Sequence, residues 1–87
     1  MTDERLIRVL LVDDHEVVRQ GLRYFLSTQA NIDVIGEASS GAEAIALTAS
    51  THPDVILMDI VMPDMDGMAT TRAIKAVHPD VAILALT

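Results

Sequence analysis

The sequence predicts an α/β fold in which four parallel strands alternate with three helices in an open, doubly wound sheet. Short apolar runs rich in leucine and β-branched residues recur along the chain, and segments with apolar residues at helical spacing separate them. No repeat, linker or low-complexity segment interrupts this order. A βαβαβαβ order indicates parallel strands that are joined by helical crossovers.

The predicted strands differ in how strongly they indicate burial. They span Ile7 to Val12, Ile32 to Ala38, Val55 to Asp59 and Val81 to Thr87. The first is apolar apart from Arg8, which is typical of a strand covered on both faces. The second is less apolar and is broken by Gly36, so it is predicted to be an edge strand. The fourth is uncharged throughout and is predicted to be a further buried strand.

The predicted helices span Glu16 to Ser27, Gly41 to Ser50 and Met68 to Val77. Asp14 is available to cap the start of the first, in which four apolar residues recur at helical spacing: Val18, Leu22, Phe25 and Leu26. The second is rich in small residues and can lie close to a sheet. A loop from Met62 to Gly67 precedes the third helix.

Composition limits the kind of protein that the chain can be. Its 87 residues suffice for one domain, and a formal charge of −7 argues against a nucleic-acid or anionic-membrane surface in this segment. Cysteine is absent, which excludes thiolate catalysis and cysteine-based zinc sites. The longest apolar stretch runs from Val81 to Leu86, far shorter than the roughly 20 residues that span a bilayer. We therefore expect a soluble, cytoplasmic protein.

Three aspartates follow two of the predicted buried strands. Asp13 and Asp14 follow the first strand, and Asp59 ends the third. Carboxyl ends of parallel strands meet at one edge of the sheet, so the three carboxylates should share a crevice there. Their oxygens suit Mg2+, and a metal-neutralised Asp59 could act as a nucleophile toward phosphorus. Thr87, at the end of the fourth strand, could donate a hydrogen bond to a phosphoryl oxygen.

Each of these assignments has a simpler structural alternative. Paired aspartates after a strand are commonly a helix cap beside a solvated neighbour. Asp59 could be a solvated loop acid, but it ends an apolar run, where a charge without a role is costly. Thr87 also fits a strand on propensity alone. The histidines, which share no metal-ligand spacing, are predicted to be surface residues: His15, His52 and His78.

Three motifs together resemble the receiver domain of bacterial two-component response regulators. They are Leu11-Val12-Asp13-Asp14-His15-Glu16, Met58-Asp59-Ile60-Val61-Met62-Pro63-Asp64-Met65-Asp66-Gly67 and Ala85-Leu86-Thr87. The resemblance implies a flavodoxin-like, CheY-like fold and a phosphorelay function. It implies that Asp13 and Asp14 bind Mg2+ with Asp59 and the Val61 backbone carbonyl. Asp59 would accept the phosphoryl group of a sensor histidine kinase, and Thr87 would be the switch hydroxyl.

The stretch from Asp13 to Arg23 is most similar to regulators of the LuxR/NarL type, which suggests control of transcription. The resemblance also implies that residues 1–87 are an incomplete receiver domain, truncated after its fourth strand, with the DNA-binding output domain absent. DNA would then be bound through that missing C-terminal domain. The lysine that the family's fifth strand brings to the phosphoryl group cannot be carried over, because the only lysine, Lys75, is predicted to lie on the third helix.

The last predicted strand leads to a further expectation. In a sheet that stops there, the outer edge of Val81 to Thr87 would be unpaired, and we expect self-association through it. Two other functions stay open. A receiver that is never phosphorylated could serve only as an interaction module. A haloacid-dehalogenase-like phosphatase also uses an aspartate nucleophile, but it needs Asp-x-Asp, which Asp13-Asp14-His15 does not provide.

Overall fold

A computed structural model describes residues 5–59 and 67–86 of the chain. The strands are β1 (Ile7–Val12), β2 (Ile32–Ala38), β3 (Val55–Asp59) and β4 (Ala82–Leu86), and the helices are α1 (Glu16–Ser27), α2 (Gly41–Thr51) and α3 (Gly67–Val77). This order confirms the predicted alternation of strands and helices. Two helix ends differ from the prediction by one residue, because Thr51 still belongs to α2 and Gly67 already belongs to α3. None of the described helices is long and apolar enough to cross a bilayer.

The strands form one parallel sheet in the order β2-β1-β3-β4. Strand β1 is therefore paired on both sides. In the register of the sheet, Val12 is opposite Ala38 of β2 and Met58 of β3. Asp13 and Asp59 each occupy the next position along the chain, so both lie at the same edge of the sheet.

Alternate residues of the central strands face two separate apolar cores. On one face, Val9 and Leu11 pack with Leu26 of α1. On the other face, Leu10 and Ile56 pack with residues of α2 and α3. Helices thus cover both faces of the sheet, as predicted for a doubly wound fold. Burying a side chain as fully as Leu10, which has 0% exposure, contributes roughly 2–3 kcal/mol.

Strand β4 is not the buried strand that its composition predicted. Val81, just before it, is buried, but Ala82 and Ala85 are exposed and Leu84 is 56% exposed. The prediction was wrong because apolar composition does not reveal the position of a strand in the sheet. Among the described residues, β4 pairs with β3 alone and α1 packs mainly against β2, so the α1-side face of β4 is left open.

The start of α2 is fixed by two reciprocal hydrogen bonds. The Ser40 hydroxyl accepts the backbone N–H of Glu43 at 3.1 Å, and Glu43 Oε1 accepts the backbone N–H of Ser39 at 2.7 Å. The hydroxyl of Ser39 donates to the same carboxylate oxygen. These bonds from Ser39 hold the pKa of the Glu43 carboxyl below its usual range. The chain is thereby directed from β2 into α2 on the α2–α3 side of the sheet.

Candidate functional site

The three predicted aspartates come together at the carboxyl edge of the sheet. Asp13, Asp14, His15 and Asp59 each place a possible metal-ligand atom within 4.8 Å of the other three. Asp13 and Asp14 lie between β1 and α1, and Asp59 is the last residue of β3. Parallel pairing of β1 with β3 thus brings together residues that are 46 positions apart in sequence, Asp13 and Asp59. The predicted juxtaposition of the carboxylates is confirmed, and no ion is needed to explain the strand pairing that creates it.

Asp13 is held from several sides. Asp13 is only 5% exposed, and its backbone N–H donates to the Ala38 carbonyl at 3.0 Å. Its Oδ1 accepts the His15 backbone N–H at 2.8 Å and the His15 Nδ1–H at 2.9 Å. The bond to the backbone two residues later is the local turn that aspartate favours. These contacts fix both the backbone and the carboxylate of Asp13.

Asp14 does not cap α1, which corrects the prediction. His15 occupies the N-cap position of that helix, and no side chain makes a capping hydrogen bond there. The Asp14 carboxylate is directed instead toward the other acidic groups. Its Oδ1 is buried and, among the described residues, accepts no hydrogen bond, although His15 Nδ1 lies 3.0 Å away.

This oxygen, which accepts no hydrogen bond from the described residues, tests whether the residues fit the magnesium ion that the acidic cluster implies. A buried carboxylate oxygen without a hydrogen bond is costly, and three carboxylates in one crevice repel one another. A hard divalent cation would coordinate Asp14 Oδ1 and would neutralise the repulsion more fully than the neighbouring imidazole of His15 does. The donor set consists of carboxylate oxygens, which Mg2+ prefers. The residues present therefore fit Mg2+.

His15 contributes a partial counter-charge to the cluster. Its side chain is 66% exposed, in agreement with the predicted surface position. The hydrogen bond to Asp13 raises the pKa of the His15 imidazole above 6.5, and the negative charges of Asp14 and Asp59 act in the same direction. Its place in the cluster was missed because metal-ligand spacing was sought among the histidines alone. The available signal was its position directly after the aspartate pair.

Two other basic residues near the site were also missed. Arg19 of α1 donates from its guanidinium to the Asp13 backbone carbonyl at 2.5 Å and to Glu37 Oε1 at 3.1 Å. Arg23, one turn later, reaches the other oxygen of Glu37 at 3.0 Å. Glu37 belongs to β2, so these ion pairs join α1 to the sheet beside the acidic site. Hydrophobic periodicity carries no information on such polar contacts.

The remaining predicted site residues are Val61 and Thr87, and both lie outside the described residues, so their roles stay predictions. Lys75 lies on α3, as predicted, and its ammonium donates to the carbonyls of Pro79 at 2.8 Å and Val81 at 2.7 Å. Those carbonyls precede β4, at the edge of the sheet opposite the aspartates. Lys75 therefore stabilises a turn and does not reach the acidic cluster.

The doubly wound parallel sheet and the acidic crevice at its carboxyl edge define an α/β domain with a candidate cation site. The family model described as the response regulator receiver domain matches residues 9–87. The chain belongs to this family. The resemblance drawn from the three motifs is thereby confirmed, and the haloacid-dehalogenase-like alternative is wrong.

Individual relatives agree with this assignment. The chain is 53% identical over 81 residues to the response regulator protein VraR of Staphylococcus aureus, covering 93% of this chain and 39% of that protein. A solved LuxR-family two-component response regulator from Aurantimonas superposes with a TM-score of 0.88 at 35% identity, covering 92% of this chain and 57% of the other. RcsB of Salmonella enterica, bound to promoter rprA in the presence of the phosphomimetic BeF3−, superposes with a TM-score of 0.86 at 30% identity, covering 93% of this chain and 68% of the other. The chain thus spans less than half of VraR, and its likeness to LuxR-type regulators is confirmed.

Proposed function

We propose that this chain is the phosphoacceptor receiver of a two-component response regulator, in which Asp59 takes a phosphoryl group from a sensor histidine kinase with Mg2+ bound. The supporting observation is the arrangement of Asp13, Asp14 and Asp59, with ligand atoms within 4.8 Å of one another. A buried carboxylate oxygen of Asp14 without a hydrogen bond adds to it. Asp13, Asp14, Asp59 and the backbone carbonyl of Val61 would hold the ion.

The proposed reaction is a phosphoryl transfer between two side chains. A carboxylate oxygen of Asp59 attacks the phosphorus of the kinase phosphohistidine, and the bond from phosphorus to the imidazole nitrogen breaks. The imidazole keeps the electron pair of that bond, and Asp59 becomes an acyl phosphate. When bound, Mg2+ supplies positive charge that stabilises the phosphoryl oxygens. The site is therefore used for one transfer rather than for turnover of a diffusible substrate, and the chain is a signalling domain rather than an enzyme.

Phosphorylation would then act as a switch through Thr87. An added charge of about −1.5 to −2 offers strong hydrogen-bond acceptors at the carboxyl edge of β3. The Thr87 hydroxyl would turn toward it, and the surface around β4 would repack. Asp59 is opposite Leu86 in the register of β3 and β4, so the described part of β4 ends beside the proposed phosphorylation point.

The proposed output is control of transcription in the cytoplasm. RcsB, a relative at 30% identity, was solved on a promoter with a phosphomimetic present. We infer that a C-terminal domain of the whole protein binds DNA here too, since the present 87 residues carry a formal charge of −7. Binding of a promoter fragment to the whole protein, but not to these residues alone, is the expected result.

Asp59→Asn tests the phosphoacceptor role. The amide is nearly isosteric with the carboxylate but is a poor nucleophile, so in the full-length protein acetyl phosphate or a cognate kinase should leave the variant unlabelled in intact-mass spectra. Asp33→Asn is the matched control, because Asp33 is an exposed aspartate of β2 outside the cluster. Label on the Asp59→Asn protein would contradict the assignment. No label on the wild-type protein, with Mg2+ binding intact, would favour a receiver that is used only as an interaction module.

Thr87→Ala separates switching from chemistry. The variant should still be labelled at Asp59, but the change in amide chemical shifts of β4 on phosphorylation should be lost. Retention of the full shift change in Thr87→Ala would contradict the switch role.

We also propose that the 87-residue polypeptide self-associates through β4. The strand lies at the edge of the described sheet, and Leu84 is 56% exposed on its face. Exposed apolar edge strands recruit further strands unless a charge blocks them. Sedimentation at micromolar concentration should show dimers or larger species, and Leu84→Lys should shift them toward monomer. A wild-type chain that sediments as a single monomer would refute this.

A further inference from the structure

Arg19 contacts the backbone that carries the acidic site. Asp13 leaves the sheet with its N–H bonded to Ala38 of β2, and its carbonyl accepts the Arg19 guanidinium at 2.5 Å. The two peptide groups that flank the Asp13 Cα are therefore each held: Ala38 accepts the N–H of the Val12–Asp13 peptide, and Arg19 binds the carbonyl of the Asp13–Asp14 peptide. Residues 13–15 belong to neither β1 nor α1, so no regular hydrogen-bond ladder orients this peptide group.

We infer that Arg19, which Glu37 holds in place, is a positioning residue for the proposed metal site. This inference rests on the proposed function. The guanidinium spans two acceptors on different elements, the Asp13 carbonyl and Glu37 Oε1. The Arg19 side chain is 16% exposed and that of Glu37 is 28% exposed, so the pair is shielded from much of the solvent. Arg19 thus sets the direction in which the Asp13 and Asp14 carboxylates leave the chain.

Glu37 has a second role in this arrangement. A free guanidinium next to three carboxylates would be drawn among them and would compete with a divalent cation. Glu37 engages Nε of Arg19, which keeps the positive charge behind the site, on the β2 side. Arg23 pairs with the other oxygen of Glu37 and leaves the oxygen that Arg19 contacts unchanged.

Geometry and charge can be separated by substitution. Lysine keeps the charge of Arg19 but lacks the planar fork that reaches two acceptors at once. Glutamine removes the charge. Loss of an outer contact that orients metal ligands typically weakens metal binding by about 10- to 100-fold. Positioning therefore predicts that Arg19→Lys and Arg19→Gln both weaken Mg2+ binding by about 10-fold or more.

Arg23 offers the matched control. It lies one turn from Arg19 on the same helix and pairs with the same carboxylate at 3.0 Å, whereas the Asp13 carbonyl is bound by Arg19. Arg23→Lys and Arg23→Gln should keep the Mg2+ dissociation constant within about 2-fold of wild type, since the outer contact to the ligand-bearing peptide survives. Isothermal titration with Mg2+ and the amide resonances of residues 13–15 without metal are the two measurements. The resonances should broaden or shift in the Arg19 variants and not in the Arg23 variants.

The outcomes separate this inference from the function on which it rests. If the wild-type protein binds no Mg2+, or if Asp13→Ala leaves its Mg2+ binding unchanged, the proposed site itself is refuted. If the wild type binds Mg2+ but Arg19→Lys binds equally well, Arg19 does not position the site. Tighter binding by Arg19→Gln with unchanged binding by Arg19→Lys would show an effect of charge alone and would also refute positioning. Thermal unfolding without metal is the control for folding. Similar Tm values for the wild type and all four arginine variants show that the comparison concerns folded protein.

Discussion

Asp14→Asn should stabilise the metal-free protein and at the same time weaken its binding of Mg2+. The two effects have one cause, because Asp14 adds negative charge to a crevice that already contains Asp13 and Asp59. Asparagine keeps the shape of the side chain and removes that charge. Its amide can also donate a hydrogen bond to a neighbouring carboxylate, which the aspartate cannot do.

The size of the stabilisation follows from the distances. Two unit charges 4.8 Å apart repel by about 0.9 kcal/mol in water and by about 3.5 kcal/mol at an effective dielectric constant near 20. The Asp14 side chain is 24% exposed, and His15 Nδ1 lies 3.0 Å from its Oδ1, so part of this repulsion is screened or offset. We therefore expect a gain of about 1–3 kcal/mol, or at least about 4 °C in Tm for a domain of this size.

Thermal unfolding in EDTA and in 10 mM MgCl2 provides the assay. If the wild-type dissociation constant is about 1 mM, Mg2+ at about 10 mM adds roughly 1.4 kcal/mol to its stability. The variant should gain much less. Asp33→Asn changes the charge equally outside the cluster and should show neither effect. A lower metal-free Tm for Asp14→Asn would refute the repulsion argument, and an undiminished response to Mg2+ would show that Asp14 is not a ligand.

Three further predictions concern pH and packing. The bond to Asp13 raises the folded pKa of His15, so the contribution of His15 to the free energy of unfolding is complete below pH 6.5 and is lost as pH rises through the folded pKa. Urea unfolding with EDTA should show this pH dependence in the wild type and not in His15→Gln. The bonds from Ser39 lower the pKa of Glu43, so the contribution of Glu43 to the free energy of unfolding is present above the unfolded pKa and is lost as pH falls through the folded pKa. Glu43→Gln should cost less than about 1 kcal/mol at pH 7 and should flatten this acid limb, the fall in stability at low pH. Ile56→Ala, at 0% exposure, should cost about 2–5 kcal/mol in the same assay.

Each of these predictions has an outcome that would contradict it. A pH dependence unchanged by His15→Gln would mean that another group titrates near neutrality. Glu43→Gln that leaves the acid limb untouched would show that the bonds to Ser39 do not persist in solution. Leu84→Ala controls the packing experiment, since Leu84 is 56% exposed and its truncation should cost less than Ile56→Ala.

The sequence predicted most of the fold because the central strands repeat one simple pattern. β1 is apolar apart from Arg8 and is followed by an aspartate, and β3 is apolar up to the aspartate that ends it. Asp13, Asp14 and Asp59 could therefore be placed at one edge from strand direction alone. β4 was misjudged because its burial depends on its neighbours in the sheet and not on its own apolar residues.

The polar contacts of the site could not be predicted in the same way. His15, Arg19 and Glu37 take their places from the path of the chain between β1 and α1, which periodicity does not describe. Arg19 lies four residues after His15, one helical turn into α1, and only the folded structure shows that its side chain turns back to the Asp13 carbonyl. Asp14 was expected to cap the helix because side chains of its type commonly do so, but the shared crevice holds it instead.

The strand order gives the site an uneven distribution of local stability. β1 and β3, which carry the three aspartates at or just after their ends, each have a neighbour on both sides, whereas β2 and β4 lie at the edges of the described sheet. Amide hydrogens of the central strands should therefore exchange with solvent most slowly, and those of the edges should exchange through smaller, local openings. Fraying of β4 can then occur while the carboxylates at the ends of β1 and β3 keep their places. The surface around β4 can thus move without displacing the acidic site.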